Sequence, residues 1–227
     1  MDPIAQRLKT TLEQLRAFEH KYGRTENSVQ LLAVSKTRSA EEIARACAIG
    51  QKDFGENYLQ EAEQKITELE ESNITWHFIG PVQSNKTASI SANFAWLHSL
   101  DRLKIARRLS QSRPPGMAAL NVCIQVNISE EASKSGIPAG EVETFSEQVT
   151  SLPGLKLRGL MTMPAPHKEL AEQRKGFEKL RRLFDRLVQS GHDLDTLSMG
   201  TSHDVEAAIA EGATMVRIGT AVFGPRQ

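Results

Sequence analysis

The sequence has few cysteines, few aromatic residues and no excess of charge of either sign. Its 227 residues include two cysteines and 5% aromatics, and 28 basic side chains balance 28 acidic ones. Because the charge is balanced and no long run of like charge occurs, we expect no nucleic-acid partner. Cys47 and Cys123 are far apart and fit no zinc spacing, which predicts free thiols and favours a reducing cytoplasm.

Long apolar runs are also missing. No segment approaches the roughly 18 consecutive apolar residues that a transmembrane helix needs, so we expect no membrane partner. Residues 1–22 form a charged amphipathic pattern, unlike the apolar core of a secretory signal. This pattern predicts an additional N-terminal helix on a protein of the cytoplasm.

The sequence does contain a regular alternation of short apolar runs and helical patterns. A capping box, Ser39-Ala40-Glu41-Glu42, begins one helix and Gly50 ends it. Further helices are predicted at 58–70, 102–111, 142–151, 169–190 and 204–211. The eight predicted strands are 31–35, 53–55, 75–79, 95–99, 121–127, 156–161, 195–198 and 215–218.

Eight strands separated by helices predict an α/β protein with a closed parallel (β/α)₈ TIM barrel. An open doubly wound sheet is the alternative, but no G-x-G-x-x-G follows the first strand, which argues against dinucleotide binding. The length is near the lower end for a barrel and leaves little room for a second domain. We therefore expect residues 1–227 to form one barrel domain.

Lys36 follows a buried strand, Leu31-Leu32-Ala33-Val34, which is an unusual place for a lysine. In a TIM barrel, the carboxyl ends of the strands carry the chemistry. A partly dry environment lowers the pKa of a lysine and exposes a nucleophilic amine, which suits Schiff-base formation. The alternative is a lysine whose amine reaches past the strand end into water.

The ends of the last two strands suggest a phosphate site. Gly200-Thr201-Ser202 precedes a predicted helix, and Gly219-Thr220 follows the neighbouring strand. Backbone N–H groups and hydroxyls at these positions could hold a phosphate dianion, and phosphate sites recur at this place in TIM barrels. An ordinary helix cap and a glycine turn are the alternative interpretation.

Two basic side chains are predicted inside the barrel. Arg217 alternates with Val216 and Ile218, so it points inward if those two face the helices. It could pair there with a carboxylate, or it could meet a ligand. His77, between Trp76 and Phe78, is interpreted as a core histidine rather than a catalytic base.

Seven motifs, in order along nearly the whole chain, resemble the YggS/PROSC family of pyridoxal phosphate (PLP) homeostasis proteins. They are Ala33-Val34-Ser35-Lys36-Thr37, Phe54-Gly55-Glu56-Asn57-Tyr58, Trp76-His77-Phe78-Ile79-Gly80 with Gln83-Ser84-Asn85-Lys86, Val126-Asn127-Ile128 with Ser133-Lys134-Ser135-Gly136, Arg158-Gly159-Leu160-Met161, Leu197-Ser198-Met199-Gly200 with Ser202 and Asp204, and Val216-Arg217-Ile218-Gly219-Thr220 with Phe223-Gly224.

The resemblance implies a barrel like that of alanine racemase, known as PLP fold type III, with PLP as the cofactor. Lys36 matches the lysine that forms the internal aldimine, and Arg217 matches the arginine beside the pyridine nitrogen. Ser202, Gly219 and Thr220 match the phosphate cradle, which Thr201 could extend. Other matching pocket residues are Asn57, His77, Met161 and Ser198. The family has no established catalytic activity, and its loss disturbs vitamin B6 and amino-acid balance.

Two positions depart from the family or stay undecided. Bacterial relatives often have lysine where Arg38 stands, and many relatives have methionine where Thr201 stands. Because an arginine forms no Schiff base, a second PLP site at Arg38 is in doubt. Lys134 could belong to a second site or be a surface lysine. PLP-requiring apo-enzymes are possible partners, and both monomers and homodimers occur in the family.

A carrier of PLP is favoured over two kinds of enzyme. A racemase-like amino-acid enzyme is the first alternative, but it needs a second base, and the only tyrosines are Tyr22 and Tyr58. We expect Tyr22 on the N-terminal helix, Tyr58 pointing into its own helix, and no further β domain after the last strand. The second alternative is an enzyme for phosphorylated metabolites that uses the same cradle without a cofactor.

Overall fold

A closed barrel of eight parallel strands forms the centre of the computed structural model, which describes residues 2–131 and 134–225. The predicted TIM barrel is therefore confirmed and the open sheet is excluded. Each strand pairs with its neighbours in chain order, and β8 pairs with β1 to close the ring. The strands are β1 Gln30–Val34, β2 Asp53–Glu56, β3 Thr75–Phe78, β4 Trp96–Leu100, β5 Leu120–Asn127, β6 Leu155–Met161, β7 Thr196–Ser198 and β8 Met215–Ile218.

Helices cover the outside of the barrel. They are α1 Pro3–Lys21, α2 Ala40–Ala48, α3 Leu59–Glu68, α4 Thr87–Asn93, α5 Leu103–Ser112, α6 Val142–Thr150, α7 Leu170–Gln189, α8 Val205–Ala210 and α9 Thr220–Phe223. The predicted N-terminal helix is present as α1, which packs against α2, α8 and α9. Asp2 caps it by accepting a hydrogen bond from the Ile4 N–H at 2.9 Å, and Pro3 is its first residue.

Helix α4, a two-residue strand and helix α9 were not predicted. Helix α4 is rich in serine and β-branched residues, which are poor helix formers, but it buries Ile90 completely, so packing outweighs propensity. A two-residue strand, Ile137–Pro138, pairs with the end of β5, and α9 is a single turn. None of the three changes the barrel topology.

The alternation of side chains along each strand separates two regions of the core. One set of positions packs against the helices in a large apolar cluster that includes Leu31, Ala33 and Phe54. The barrel interior contains a small separate cluster of Trp96, Cys123 and Met161. Five strands also place polar residues at inward positions, namely Asp53, His77, His98, Ser198 and Arg217.

In ranges 2–131 and 134–225, no helix has the length and apolarity to cross a bilayer. The same ranges contain no group of three or more histidine, cysteine or acidic residues placed to hold a metal ion.

Candidate functional site

Lys36 lies at the carboxyl end of β1. The Ser35 N–H donates to the Gly55 carbonyl oxygen at 3.0 Å, so pairing with β2 continues one residue beyond the strand. Lys36 follows and is half-buried, and Thr37 then turns the chain with φ of 64°. Counting by two from Leu32 assigns position 36 to the inward side of the strand.

A buried ion network holds the backbone on both sides of Lys36. Lys65, on α3, donates through Nζ to the Ser35 carbonyl oxygen at 2.9 Å, to Glu56 Oε1 at 2.8 Å and to Glu61 Oε1 at 2.5 Å. Ser35 Oγ donates to Glu56 Oε1 at 2.6 Å, and the Thr37 N–H donates to Glu61 Oε1 at 2.6 Å. The residues before and after Lys36 are thereby tied to one helix.

Burial and charge act in opposite directions on Glu56. Burial raises the pKa of this carboxyl group, while the Lys65 ammonium and the hydrogen bonds from Lys65 and Ser35 lower it, and burial dominates. Glu56 Oε2 is buried and has no hydrogen-bond partner in the described chain. The network is therefore held mainly by Lys65, whose removal would leave a buried carboxylate without its cation.

The predicted phosphate loop after β7 is partly occupied by a side chain of the protein itself. Asp204 Oδ1 accepts hydrogen bonds from the Thr201 N–H at 2.6 Å and from Thr201 Oγ1 at 2.8 Å. Asp204 is the N-cap residue of α8, which begins at Val205. Ser202 is exposed. The Ser202 hydroxyl is therefore accessible, whereas a phosphate would have to compete with Asp204 for Thr201.

Gly219 and Thr220 lie beside the strand that leads to Lys36. The β1–β8 register pairs Ala33 with Ile218, which places Gly219 next to Val34. A Cβ atom on Gly219 would lie 3.1 Å from the Val34 carbonyl oxygen, so glycine permits this close approach. Gly219 caps α9, whose first N–H groups have no intrahelical acceptor, and Thr220 is exposed.

Arg217 points into the barrel, as predicted. Its Nη1 donates to the Ser198 carbonyl oxygen at 2.6 Å and to Ser198 Oγ at 2.8 Å, and its Nη2 donates to the Thr162 carbonyl oxygen at 2.9 Å. No carboxylate of the described chain forms an ion pair with it, so the alternative of a barrel salt bridge is wrong. Burial lowers the pKa of Arg217 to about 10. Because this value is still well above 7, the guanidinium is charged at neutral pH.

The predicted site residues line different cavities. Arg217 and Thr201 line a cavity of about 150 Å³ together with Thr162 and Asp204. Asn57 lines another cavity, of about 600 Å³, that includes Tyr58. Strand pairing brings the end of β1 next to Gly219 on one side and next to the end of β2, just before Asn57, on the other.

Two predicted pocket residues lie in the barrel interior. His77 is completely buried, and both of its ring nitrogens have partners, so it is a core histidine. Met161 is 2% exposed and packs with Trp96 and Cys123. Neither side chain lines the cavities that contain Asn57 or Arg217.

Several residues around the site were not anticipated. His98, Asp53 and Thr162 partner the predicted interior residues, and Lys65 and Glu61 hold the segment around Lys36. The alternation used for Arg217 also applies to Trp96-Leu97-His98 and would have placed His98 inside. No sequence signal indicates that Lys65, on the next helix but one, reaches back to Ser35.

The barrel, with its lysine and glycine-lined rim, defines a protein of the alanine racemase barrel class. Residues 13–227 match the model of the family described as alanine racemase, N-terminal domain. Alanine racemase of Corynebacterium glutamicum superposes with a TM-score of 0.71 at 19% identity, covering 97% of this chain and 60% of that one. At this identity the likeness concerns the fold alone.

More similar proteins match over their whole lengths. The pyridoxal phosphate homeostasis protein of Pseudomonas aeruginosa is 53% identical, covering 100% of this chain and 97% of the relative. The protein of the same name in Escherichia coli K12 is 47% identical, with 100% and 98% coverage. PipY of Synechococcus elongatus, solved with PLP bound, is 35% identical with a TM-score of 0.85, covering 97% of this chain and all of that chain. This chain belongs to the family of pyridoxal phosphate homeostasis proteins.

Proposed function

We propose that this chain binds PLP, holds it as a Schiff base on Lys36, and serves PLP and amino-acid homeostasis without strong catalytic turnover. One observation carries the proposal: the β1–β8 pairing brings the segment that ends in Lys36 next to Gly219. An amine and a candidate phosphate cradle are thus on adjacent strand ends. The names of the full-length relatives and the PLP in PipY support it.

The residues at the rim fit the chemistry of a phosphorylated pyridine. The exposed hydroxyls of Ser202 and Thr220 and the backbone at Gly219 would hold the phosphate. Gly219 fits this role because a side chain there would press against the Val34 carbonyl group. Thr201 would contribute only if its hydroxyl exchanged Asp204 for phosphate. Asn57 would contact the ring, and the buried residues Ser198, His77 and Met161 would support the site from the barrel interior.

Arg217 determines what such a protein does with its cofactor. PLP supplies an electron-withdrawing ring when its pyridine nitrogen is protonated. A guanidinium has only donors, and a charged Arg217 facing that nitrogen would keep it unprotonated. Its pKa of about 10 maintains the charge at neutral pH. These properties favour holding PLP over activating it.

A racemase-like enzyme is the second candidate, and Tyr58 is the observation that favours it. The expectation that Tyr58 points into its helix is wrong: the side chain is 55% exposed and lines the cavity that includes Asn57. Tyr22 is engaged elsewhere, because its hydroxyl donates to Glu206 at 2.9 Å. Racemisation of alanine that exceeds the rate with free PLP and disappears in Tyr58→Phe would establish this function.

The binding proposal is tested by absorbance. Purified protein supplied with PLP should show the visible band of covalently held cofactor after desalting, and Lys36→Ala should lose it. Lys175→Ala, which changes an exposed lysine paired with Glu172, is the matched control and should keep the band. Retention of the band in Lys36→Ala would contradict the role of Lys36. A wild type that stays colourless would favour the enzyme for phosphorylated metabolites.

The homeostasis part of the proposal needs a separate measurement. PLP-loaded protein should reactivate a PLP-requiring apo-enzyme faster than PLP released into solution during the same period. Mixing the loaded protein with the apo-enzyme, with and without a scavenger of free PLP, separates direct transfer from release. Equal suppression of reactivation by the scavenger for loaded protein and for free PLP would contradict direct transfer.

The side chains considered for a second PLP site have structural contacts. Arg38 Nη2 donates to the Gly224 and Pro225 carbonyl oxygens at 2.5 and 2.8 Å and so binds the C-terminal segment. Lys134 forms an ion pair with Glu131 at 3.1 Å, and the adjacent Ser133 lies outside the described residues. We therefore propose one PLP site per chain, which the stoichiometry of bound PLP tests.

The proposal extends to organisation and location. We propose a single domain over residues 1–227 and a cytoplasmic location, supported by the free thiols of Cys47 and Cys123. Both a monomer and a homodimer are compatible with the proposal. Light scattering of the purified protein with and without PLP decides between them.

A further inference from the structure

A continuous chain of buried hydrogen bonds crosses the barrel interior and ends at Arg217. Asp53 Oδ1 lies 3.0 Å from His77 Nε2, and His77 Nδ1 lies 2.9 Å from His98 Nε2. His98 Nδ1 lies 2.8 Å from Ser198 Oγ, which accepts from Arg217 Nη1 at 2.8 Å. Both imidazoles and the Ser198 side chain are completely buried.

The chemistry of the groups gives this chain one direction. The Asp53 carboxylate only accepts, so His77 donates to it from Nε2. A neutral imidazole that donates at Nε2 accepts at Nδ1, so His77 accepts from His98 Nε2, and His98 accepts at Nδ1 from the Ser198 hydroxyl. Ser198 Oγ accepts in turn from Arg217, which is only a donor. The three groups between the two ends each donate and accept, and all the bonds run from the arginine to the aspartate.

Burial keeps the two imidazoles in the neutral form that this direction requires. Burial lowers the pKa of His77, although Asp53 opposes the change. Burial, and then the charges of His77 and Arg217, lower the pKa of His98 well below its ordinary value. Neutral rings have fixed tautomers here, because each nitrogen has a single partner.

The two ends of the chain lie at opposite faces of the barrel. Asp53 is the first residue of β2, its side chain is 17% exposed, and it lines a cavity of about 510 Å³ among the amino ends of the strands. Ser198 is the last residue of β7, at the carboxyl ends. The chain of hydrogen bonds therefore connects the amino-end face of the barrel, which usually serves stability in a TIM barrel, with the carboxyl-end face, which carries the chemistry.

We propose that Asp53, His77, His98 and Ser198 are positioning residues that fix the guanidinium of Arg217 toward the cofactor. Two backbone carbonyl groups hold Arg217 from β7 and from the end of β6, while the Ser198 hydroxyl is the acceptor whose orientation depends on the histidines. Removing the Asp53 carboxylate leaves His77 free to choose either tautomer. A changed tautomer at His77 then requires a changed tautomer at His98 and turns the Ser198 hydrogen away from it.

The inference rests on the proposed function only where PLP is concerned, so its main test uses cofactor-free protein. Nuclear magnetic resonance of ¹⁵N-labelled protein should show His77 and His98 neutral and protonated at Nε2, with Arg217 guanidinium hydrogens protected from exchange. Asp53→Ala should change the His98 ring signals, although Asp53 does not contact His98, and should speed exchange at Arg217 by about tenfold, as expected for a lost hydrogen bond. Asp193→Asn changes an exposed acidic residue in the turn before β7 and is the control.

A second pair of variants separates positioning from simple packing. His98→Gln keeps a donor and an acceptor and should retain most of the Arg217 protection, whereas His98→Leu should lose it at similar fold content by circular dichroism. With PLP bound, the absorption maximum should shift in Asp53→Ala and His98→Leu and stay unchanged in Asp193→Asn. Unchanged His98 and Arg217 signals in folded Asp53→Ala would overturn the inference. Absence of PLP binding in the wild type would overturn the proposed function while leaving the apo-protein result intact.

Discussion

The Lys65 ammonium donates a hydrogen bond to the carbonyl group of Ser35, the residue immediately before Lys36, over 2.9 Å. At this strand end, Lys65 holds the backbone and Lys36 is the candidate that binds PLP. Lys65 is 5% exposed and is neutralised by Glu56 and Glu61, whereas Lys36 is half-buried at the barrel rim. The buried ion network makes the position of Lys36 depend on helix α3.

Replacing Lys65 should therefore affect both stability and cofactor binding. We expect Lys65→Met to lower the free energy of unfolding by about 3–5 kcal/mol, because the buried Glu56 carboxylate loses its cation. Chemical denaturation measures this change. The exposed pair Lys175–Glu172 supplies the control, and Lys175→Met should cost at most about 0.5 kcal/mol.

The cause can be isolated with a double variant. Adding Glu56→Gln to Lys65→Met removes the uncompensated charge and should recover part of the stability. PLP binding should not recover to the same extent, because Ser35 still lacks the donor that holds its carbonyl group. Equal loss in the single and double variants would show that volume, not charge, dominates at this position.

Thr37 carries backbone strain next to Lys36. It is a β-branched residue at φ of 64°, in the left-handed region, and its N–H is held by Glu61. Thr37→Gly should relieve about 1–2 kcal/mol of strain, offset by about 0.5–1 kcal/mol from the greater freedom of glycine in the unfolded chain. We expect a small net stabilisation by thermal unfolding together with weaker retention of PLP.

A comparison site is available for this prediction. Asn27 has a similar φ of 63°, but asparagine tolerates the left-handed region, so Asn27→Gly should gain less stability than Thr37→Gly. A clear loss of stability in Thr37→Gly would mean that the threonine side chain contributes more than its strain costs.

Gly219 offers a direct test of the phosphate cradle. An added Cβ would lie 3.1 Å from the Val34 carbonyl oxygen, so Gly219→Ala should displace the backbone at the cradle. We expect affinity for PLP to fall by about tenfold or more, equal to one lost charge-assisted hydrogen bond. Affinity for pyridoxal, which has no phosphate, should change little. Titration calorimetry with both ligands measures the difference.

The control for this variant is Gly140→Ala. No atom lies within 4 Å of a Cβ built on Gly140. This glycine follows the two-residue strand Ile137–Pro138 and is distant in sequence from β8. Both affinities should stay at the parental values in Gly140→Ala. Parallel losses for PLP and pyridoxal in Gly219→Ala would place the effect on the ring or on Lys36 instead of the phosphate.

The sequence was sufficient for the barrel and for residues whose role follows from local pattern. Hydrophobic periodicity located all eight strands, and alternation along β8 placed Arg217 inside. The partners of these residues depend on how strands are registered and how helices are rotated. His98 meets Ser198 across 100 positions of sequence, and Thr201 bonds to Asp204 where a ligand had been expected. The contact between His98 and Ser198 has no local signature, because the packing of the closed barrel sets it. Thr201 and Asp204 are only three residues apart, and the Thr-x-x-Asp spacing at a helix start is a local sign of their contact.

The buried histidines should make stability depend on pH in a specific direction. The pKa of His98 in the folded protein lies well below its ordinary value of 6.5, chiefly because of burial. Below pH 6.5 the unfolded chain therefore binds a proton at this position that the folded protein does not. Above pH 6.5 this proton costs no stability, because His98 is neutral in both the folded and the unfolded chain. Below pH 6.5 the free energy of unfolding falls toward the folded-state pKa, at about 1.4 kcal/mol per pH unit for one proton.

His98→Gln removes the group that binds this proton, so comparing the variant with the wild type measures the contribution of His98 to the pH dependence. The variant should be less stable than the wild type near neutral pH, because glutamine fits the interior hydrogen bonds less well. Its free energy of unfolding should then fall less steeply between about pH 6 and pH 5, by up to one proton's slope. Urea denaturation at a series of pH values gives both curves. Curves that stay parallel over this range would mean that His98 accepts its proton in the folded barrel, which the direction of the Arg217–Asp53 chain does not permit.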